Sequence, residues 1–190
     1  MSLLQQVLKN SYKGKKQAKK LDGFERDNDL SGQRVQVYNN KDTGKTVVAH
    51  RGTKGIHDMI TDAKLMVAPK LYRSGARYKQ SKKIQQQAED KYGAKNITTV
   101  GHSLGGKLAS DVGRNSSKVI TYNKAIIPSD LKKKPNPNEI HIRTHTDPVS
   151  FLSPYDKTKT VNVPSDSLLG SHDIENLQNY HPKGDDVTFI

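Results

Sequence analysis

The chain has 190 residues, of which 32% are hydrophobic, and 32 Lys and Arg against 19 Asp and Glu give a formal net charge of +13. That length fits a single domain, 1–190, that can bury one continuous core. The absence of cysteine excludes a disulfide framework and any thiolate-ligated metal, and no apolar run approaches the roughly 20 residues that cross a bilayer as a helix.

Residues 1 to about 21 read as a basic N-terminal helix, with Leu4, Leu8 and Tyr12 forming a narrow stripe that Leu3 and Val7 widen. Its apolar patch is too short for a secretory signal, and charge follows the patch rather than preceding it. The expectation is a soluble chain without a signal peptide, cytoplasmic or virion-associated. The lysine-rich run Lys13 to Lys20 reads as a solvated face or a lipid-surface contact. Asp22 to Gly32 reads as a loop. Two strands follow, RVQVY (34–38) and KTVVAH (45–50), joined by the turn formers of 39–44 into an antiparallel hairpin. The three adjacent apolar residues of the second suggest burial on both faces.

A helix is expected over 74–92, with Ile84, Ala88 and Tyr92 on one face and Gly93 as its stop. ITTVG (97–101) reads as a strand, residues 104–112 as a helix, and KVITY (118–122) and EIHIR (139–143) as strands. KKKPNPN (132–138) reads as a basic loop. A weaker strand, TVNV (160–163), precedes a short helix over 172–180. This order predicts an α/β fold with a mostly parallel central sheet flanked by helices.

The sharpest chemical signal is Gly101-His102-Ser103-Leu104-Gly105, a G-x-S-x-G pentapeptide with Gly106 behind it. A serine hydroxyl is a poor nucleophile unless a strained strand-to-helix turn exposes it to a base, and small residues two positions either side let helix and strand pass closely. The same pattern can be an ordinary glycine-rich turn, but here it lies between ITTV and the amphipathic KLASDV. Acyl transfer also needs donors for the oxyanion. One is expected from the N–H of Leu104, the other from HRGTKG (50–55), which closes the KTVVA strand.

VVAHRGTKGIHDMITDAKL, GHSLGG and VITYNKA together resemble the class 3 (fungal-type) lipase family of α/β-hydrolases over most of residues 35–180. The resemblance implies an α/β-hydrolase-like fold, Ser103 as nucleophile, Thr53 as the second oxyanion donor, and a lid over about 56–60. His50 stands where the family usually has phenylalanine, and Met59 where tryptophan is common. Small size, lysine richness and no secretion signal are more similar to small viral members than to secreted fungal ones.

The family's chain order is nucleophile, acid, base. Asp130, Asp147 and Asp156 follow the serine. Asp147, in THTDPVSFL, resembles the family's acid site, although Asp-Pro is also a common turn. For the base, His172 in GSHDIENLQNY resembles the family's histidine, with His181 as the alternative. His102 should lie beside the site, His141 on another strand face, and His145 is close to Asp147 in sequence. No histidine pair has metal-ligand spacing, so no metal or cofactor is expected.

The expected activity is hydrolysis of lipid esters through Ser103, Asp147 and His172, with Thr53 and Leu104 holding the oxyanion. The positive charge reads either as a solubility device or as a peripheral contact with an anionic membrane surface; no arginine-aromatic pattern of a nucleic-acid module accompanies it. The alternative is a catalytically silent hydrolase-fold module that binds anionic lipid or nucleic acid.

Overall fold

The computed structural model describes residues 1–13, 21, 23–53, 69–150, 157–165 and 170–180. Seven strands form one sheet whose spatial order is the order of the chain. Strands β1 (Glu25–Arg26), β2 (Val35–Asn39) and β3 (Thr46–His50) pair antiparallel. Strands β4 (Ile97–His102), β5 (Lys118–Tyr122), β6 (Glu139–Thr144) and β7 (Lys159–Val163) continue from β3 in parallel. The sheet is the mostly parallel, helix-flanked one expected, with an antiparallel N-terminal edge.

The β2–β3 turn forms because the Asn40 carboxamide accepts the N–H groups of Asp42 and Thr43 and Gly44 takes a left-handed conformation, φ 70°. Every residue of β3 is buried, and its side chains alternate between two cores. Val47 and Ala49 face helix α1 (Leu3–Ser11), beside Tyr38, Val100, Ile120 and Leu177. Val48 faces the other side with Val35, Val37 and Ile97, where Ile84 and Ala88 of helix α3 (Ala76–Tyr92) cover it. A short helix α2 (Pro69–Ser74) precedes α3, and α4 (Leu104–Val112) links β4 to β5.

The first helix stops at Ser11, with Tyr12 as its cap, well before residue 21. Its apolar contacts end there, and residues 14–20 lie outside the described residues. The loop expected over 22–32 contains β1, held because the Asp27 carboxylate gathers the N–H groups of Asp29 and Leu30 together with Lys91 and Tyr92. Beyond β7, a 3-10 helix occupies Ile174–Asn179 where a longer helix was expected.

Part of the lysine content lies inside. Lys107 is 2% exposed and pairs with Asp111 and Asp130, and Lys124 pairs with Glu139 at 2.7 Å. In the basic loop, Lys133 is held by Asp111 at 2.8 Å and Asp130 at 2.7 Å. Among the described residues, no helix is long and apolar enough to cross a membrane.

Candidate active site

Parallel strands place the loops that leave their carboxyl ends on one edge of the sheet. Here that edge carries Gly52-Thr53 after β3, Ser103 after β4, Asp147 after β6, and His172 on the segment following β7. Ser103 has φ 58° and ψ −127°, a region that costs an L-residue roughly 1–3 kcal/mol and persists only where the surroundings enforce it. They do so here by close approach. A Cβ on Gly101 would lie 2.1 Å from the carbonyl oxygen of Gly105, and a Cβ on Gly105 would lie 2.1 Å from that of His50. The serine main chain is tied on both sides. Its N–H donates to the Tyr122 carbonyl at 3.0 Å, and its carbonyl accepts from Lys107 and Ala125.

The end of β3 presses against this turn. A Cβ on Gly52 would sit 3.2 Å from the Cβ of Ser103 and 2.7 Å from the His102 carbonyl. Arg77 of α3 fixes the strand end from outside, with Nη2 donating to the Arg51 carbonyl at 2.6 Å and Nη1 to the Thr53 hydroxyl at 3.2 Å. Leu104 opens α4, so its N–H is in the turn that has no intrahelical acceptor. His50 is fully buried, with Nε2 3.3 Å from the Gln85 side-chain oxygen, and burial lowers its pKa to about 4. The expected lid over 56–60, with Met59, lies outside the described residues.

Asp147 and His172 meet across 25 residues of chain: Nδ1 of His172 lies 2.7 Å from Oδ1 of Asp147. Burial alone would raise the Asp147 carboxyl. The His172 ring and the Ser150 N–H, at 2.8 Å, outweigh it and hold the group below the usual carboxylate range. A carboxylate only accepts, so Nδ1 carries the proton and Nε2 is left as the acceptor of the neutral ring. That Nε2 is buried and makes no hydrogen bond among the described residues.

The main chain around His172 is held by side chains from neighbouring strand ends. The Ser171 carbonyl accepts from Asn123 Nδ2 at 2.9 Å and from the Thr144 hydroxyl, and the Asp173 carbonyl accepts from Tyr122 Oη at 2.9 Å. Asn123 takes φ 44° to do this while its Oδ1 accepts the Thr144 N–H. The His102 ring lies beside the site as expected, stacked on Tyr122 with 5.4 Å between ring centres and 4.6 Å from the ring of His172.

The other residues weighed from the sequence divide clearly. Asp130 belongs to the Lys107 and Lys133 ion pairs. His141 is buried, with Nε2 accepting the Lys124 N–H at 3.1 Å. His145 is exposed and its carbonyl accepts from Arg143. Asp156 and His181 lie outside the described residues. Among the described residues, no group of three or more His, Asp or Glu is arranged to hold a metal. Sequence reasoning missed Arg77 and Asn123. A lone arginine near a helix start and an asparagine after a strand carry no local signal of these contacts.

Residues 11–150 match the family model described as Phospholipase-like, Tle-like phospholipase domain. The match spans Thr53, Ser103, Leu104 and Asp147, and ends before His172. Among solved structures, the chain is similar to the Lip2 lipase of Yarrowia lipolytica, at 16% identity and TM-score 0.49 over 68% of this chain and 60% of that one. It is also similar to a predicted CIB-like hydrolase of Thermoplasma acidophilum, at 12% and 0.47 over 81% of this chain and 93% of that one. A triacylglycerol lipase of Penicillium expansum matches at 15% and 0.45 over 88% of this chain and 80% of that one. The chain therefore spans three fifths of the length of the Yarrowia lipase. The comparison with curated proteins finds no match.

Proposed function

The chain belongs to the family of Tle-like phospholipase domains, and from that premise we propose that it hydrolyses carboxylic esters of lipids by acyl transfer through Ser103. His172 Nε2 takes the Ser103 proton, and the hydroxyl oxygen attacks the ester carbonyl. Asp147 holds the tautomer that leaves Nε2 available and stabilises the imidazolium that forms. The N–H groups of Thr53 and Leu104 receive the oxyanion. His172 then gives its proton to the leaving alcohol, and water repeats the sequence on the acyl-enzyme to release the acid and restore Ser103.

The observation that carries this reading is the buried Nε2 of His172, unpartnered among the described residues, on a ring whose other nitrogen is fixed by Asp147. Leaving a buried polar atom unpaired costs roughly 1–3 kcal/mol. His50 Nδ1 is unpaired too, but that ring meets the Gln85 amide, so the pairing with Asp147 is what sets His172 apart. The strained serine on the same sheet edge supplies the partner chemistry. A silent scaffold has no use for either cost.

The family description supports phospholipid as the ester, and the +13 charge supports an anionic lipid surface. A fluorophosphonate probe followed by peptide mapping tests the chemistry, and a panel of phospholipids, triglycerides and short p-nitrophenyl esters tests the substrate. A covalent adduct on Ser103 and release of fatty acid from phospholipid are expected. An unlabelled serine overturns the reading.

A further inference from the structure

The segment carrying His172 has little regular structure of its own, yet five consecutive main-chain carbonyls, from Ser171 to Glu175, accept side-chain donors. Asn123 and Thr144 take the first, and Tyr122 the third. The His172 carbonyl accepts from Nε2 of His102 at 2.9 Å. Helix α1 takes the last two, with Gln5 Nε2 lying 3.3 Å from both the Ile174 and the Glu175 carbonyls. Lys9 adds an ion pair to Glu175 at 2.9 Å.

The residue that closes α1 reaches further. Tyr12 Oη lies 2.8 Å from Nδ1 of His102. A carbonyl only accepts, so Nε2 of His102 must carry the ring proton toward His172, and Nδ1 must accept the Tyr12 hydroxyl proton. The Tyr12 hydroxyl also lies against the β3 end, so close to Gly52 that a Cβ there would fall 2.2 Å from Oη. Two hydrogen bonds therefore run from Tyr12 through His102 to the main chain of His172, and Tyr12 touches Gly52 at their other end. Burial lowers the His102 pKa to about 3, which keeps the ring neutral and this polarity fixed.

We infer that Tyr12 and His102 are positioning residues, through which the N-terminal helix sets the His172 ring relative to Ser103 and couples that setting to the β3 end at Gly52. Neither exchanges a proton with Ser103 or substrate, although the His102 ring meets the His172 ring with 4.6 Å between centres. Their effect is on the angle and distance at which Nε2 meets the serine hydroxyl, where an error of about 1 Å costs roughly a hundredfold in rate. The inference rests on the reading of His172 as the general base.

The test compares Tyr12→Phe, His102→Leu and His102→Gln with the parent chain, each assayed well below its melting temperature. Two readouts are used: kcat and KM on a soluble short-chain ester, and the low-field proton resonance of the His172 Nδ1–H. Tyr12→Phe should lower kcat about tenfold with KM within about twofold, and His102→Leu should lower it further. His102→Gln, whose amide still donates to the His172 carbonyl, should recover most of the loss. The Nδ1–H resonance should broaden or move in the first two variants and stay near its original position in the third. Folded Tyr12→Phe with unchanged kcat and an unchanged resonance overturns the relay, as does a His102→Gln no better than His102→Leu. Should Tyr12→Phe fail to fold, the His102 pair decides. The resonance needs no turnover, so an unreactive Ser103 in the parent chain sinks the hydrolase reading alone, whereas an unmoved resonance sinks the relay alone.

Discussion

Gly105 of α4 lies directly against the carbonyl oxygen of His50 at the end of β3, and this contact sets how closely α4 approaches that strand end. A Cβ at residue 105 would meet that oxygen at 2.1 Å, the Arg51 carbonyl carbon at 2.6 Å and the Gly52 nitrogen at 2.7 Å. All three are main-chain atoms and cannot swing aside. Gly105→Ala must therefore push α4 from β3 and draw Thr53 away from Ser103. The expected result is a loss of roughly 1–3 kcal/mol, read as a lower urea midpoint, together with slower probe labelling of the remaining folded enzyme. Gly44 is the control. A Cβ there meets nothing within 4 Å, so Gly44→Ala should cost only the left-handed penalty of about 1 kcal/mol and leave labelling unchanged.

Ser103 carries backbone strain that glycine would not. Ser103→Ala and Ser103→Gly should both abolish hydrolysis, but Ser103→Gly should be the more stable by about 1 kcal/mol, because φ 58° with ψ −127° is open to glycine and disfavoured for alanine. Equal urea midpoints for the two would argue against strain at this turn. Activity within a few-fold of the parent in either would remove Ser103 as the nucleophile.

Much of this was legible because the sheet is simple. ITTV and KVITY are short apolar runs, and Leu104 and Leu108 repeat at helix spacing, so β4, α4 and β5 fall within a residue of expectation. Asp147 and His172 were reached through resemblance alone, since nothing local tells an Asp-Pro turn from an acid 25 residues from its partner. Tyr12 was visible as part of an apolar stripe with Leu4 and Leu8, and its ring does pack there. Its hydroxyl contact with His102 is a tertiary fact across 90 residues that no periodicity encodes. Lysines mislead in the opposite sense. Composition places them on the surface, whereas Lys107 and Lys124 are buried because carboxylates from other elements meet them.

Asp147→Asn and His172→Ala should each lower kcat by orders of magnitude, and the double variant should lose little more than the worse single one, because the pair acts as a unit. Asp130→Asn separates catalysis from structure. It removes a charge from the Lys107 and Lys133 cluster, so it should lower stability while sparing kcat. Additive losses in the Asp147 and His172 double variant would break the unit, and a dead but stable Asp130→Asn would move the acid.

The +13 charge should act on surface residence rather than on chemistry. Hydrolysis of anionic vesicles should fall steeply as salt shortens the Debye length to about 10 Å at 0.1 M. Hydrolysis of a soluble short-chain ester should change little over the same range. Parallel salt curves for the two substrates would make the charge a solubility device.

Acid should unfold this protein early, for a reason that can be worked through histidine by histidine. His50, His102 and His141 are all buried, and burial is the leading cause that lowers each, His50 to about 4, His102 to about 3 and His141 well below 6.5. In the unfolded chain each titrates near the ordinary value of 6.5. Between that value and the depressed folded one, the unfolded chain binds more protons, so stability rises with pH and is lost as pH falls below about 6.5. Each group contributes a slope of about 1.4 kcal/mol per pH unit in that window, and the three together about 4 kcal/mol per unit. Against an ordinary stability of roughly 5–15 kcal/mol, that slope empties the native state within a few units. Asp147, whose folded pKa is lowered, adds its own loss only at more acid pH, as its carboxylate protonates. Urea midpoints at pH 7.5, 6.5, 5.5 and 4.5 measure the slope. His141→Gln should reduce it by about a third, whatever it does to stability at pH 7.5. A midpoint that stays level from pH 6.5 to 4.5 would mean that these rings take up protons without unfolding, and that their burial is not what the structure describes.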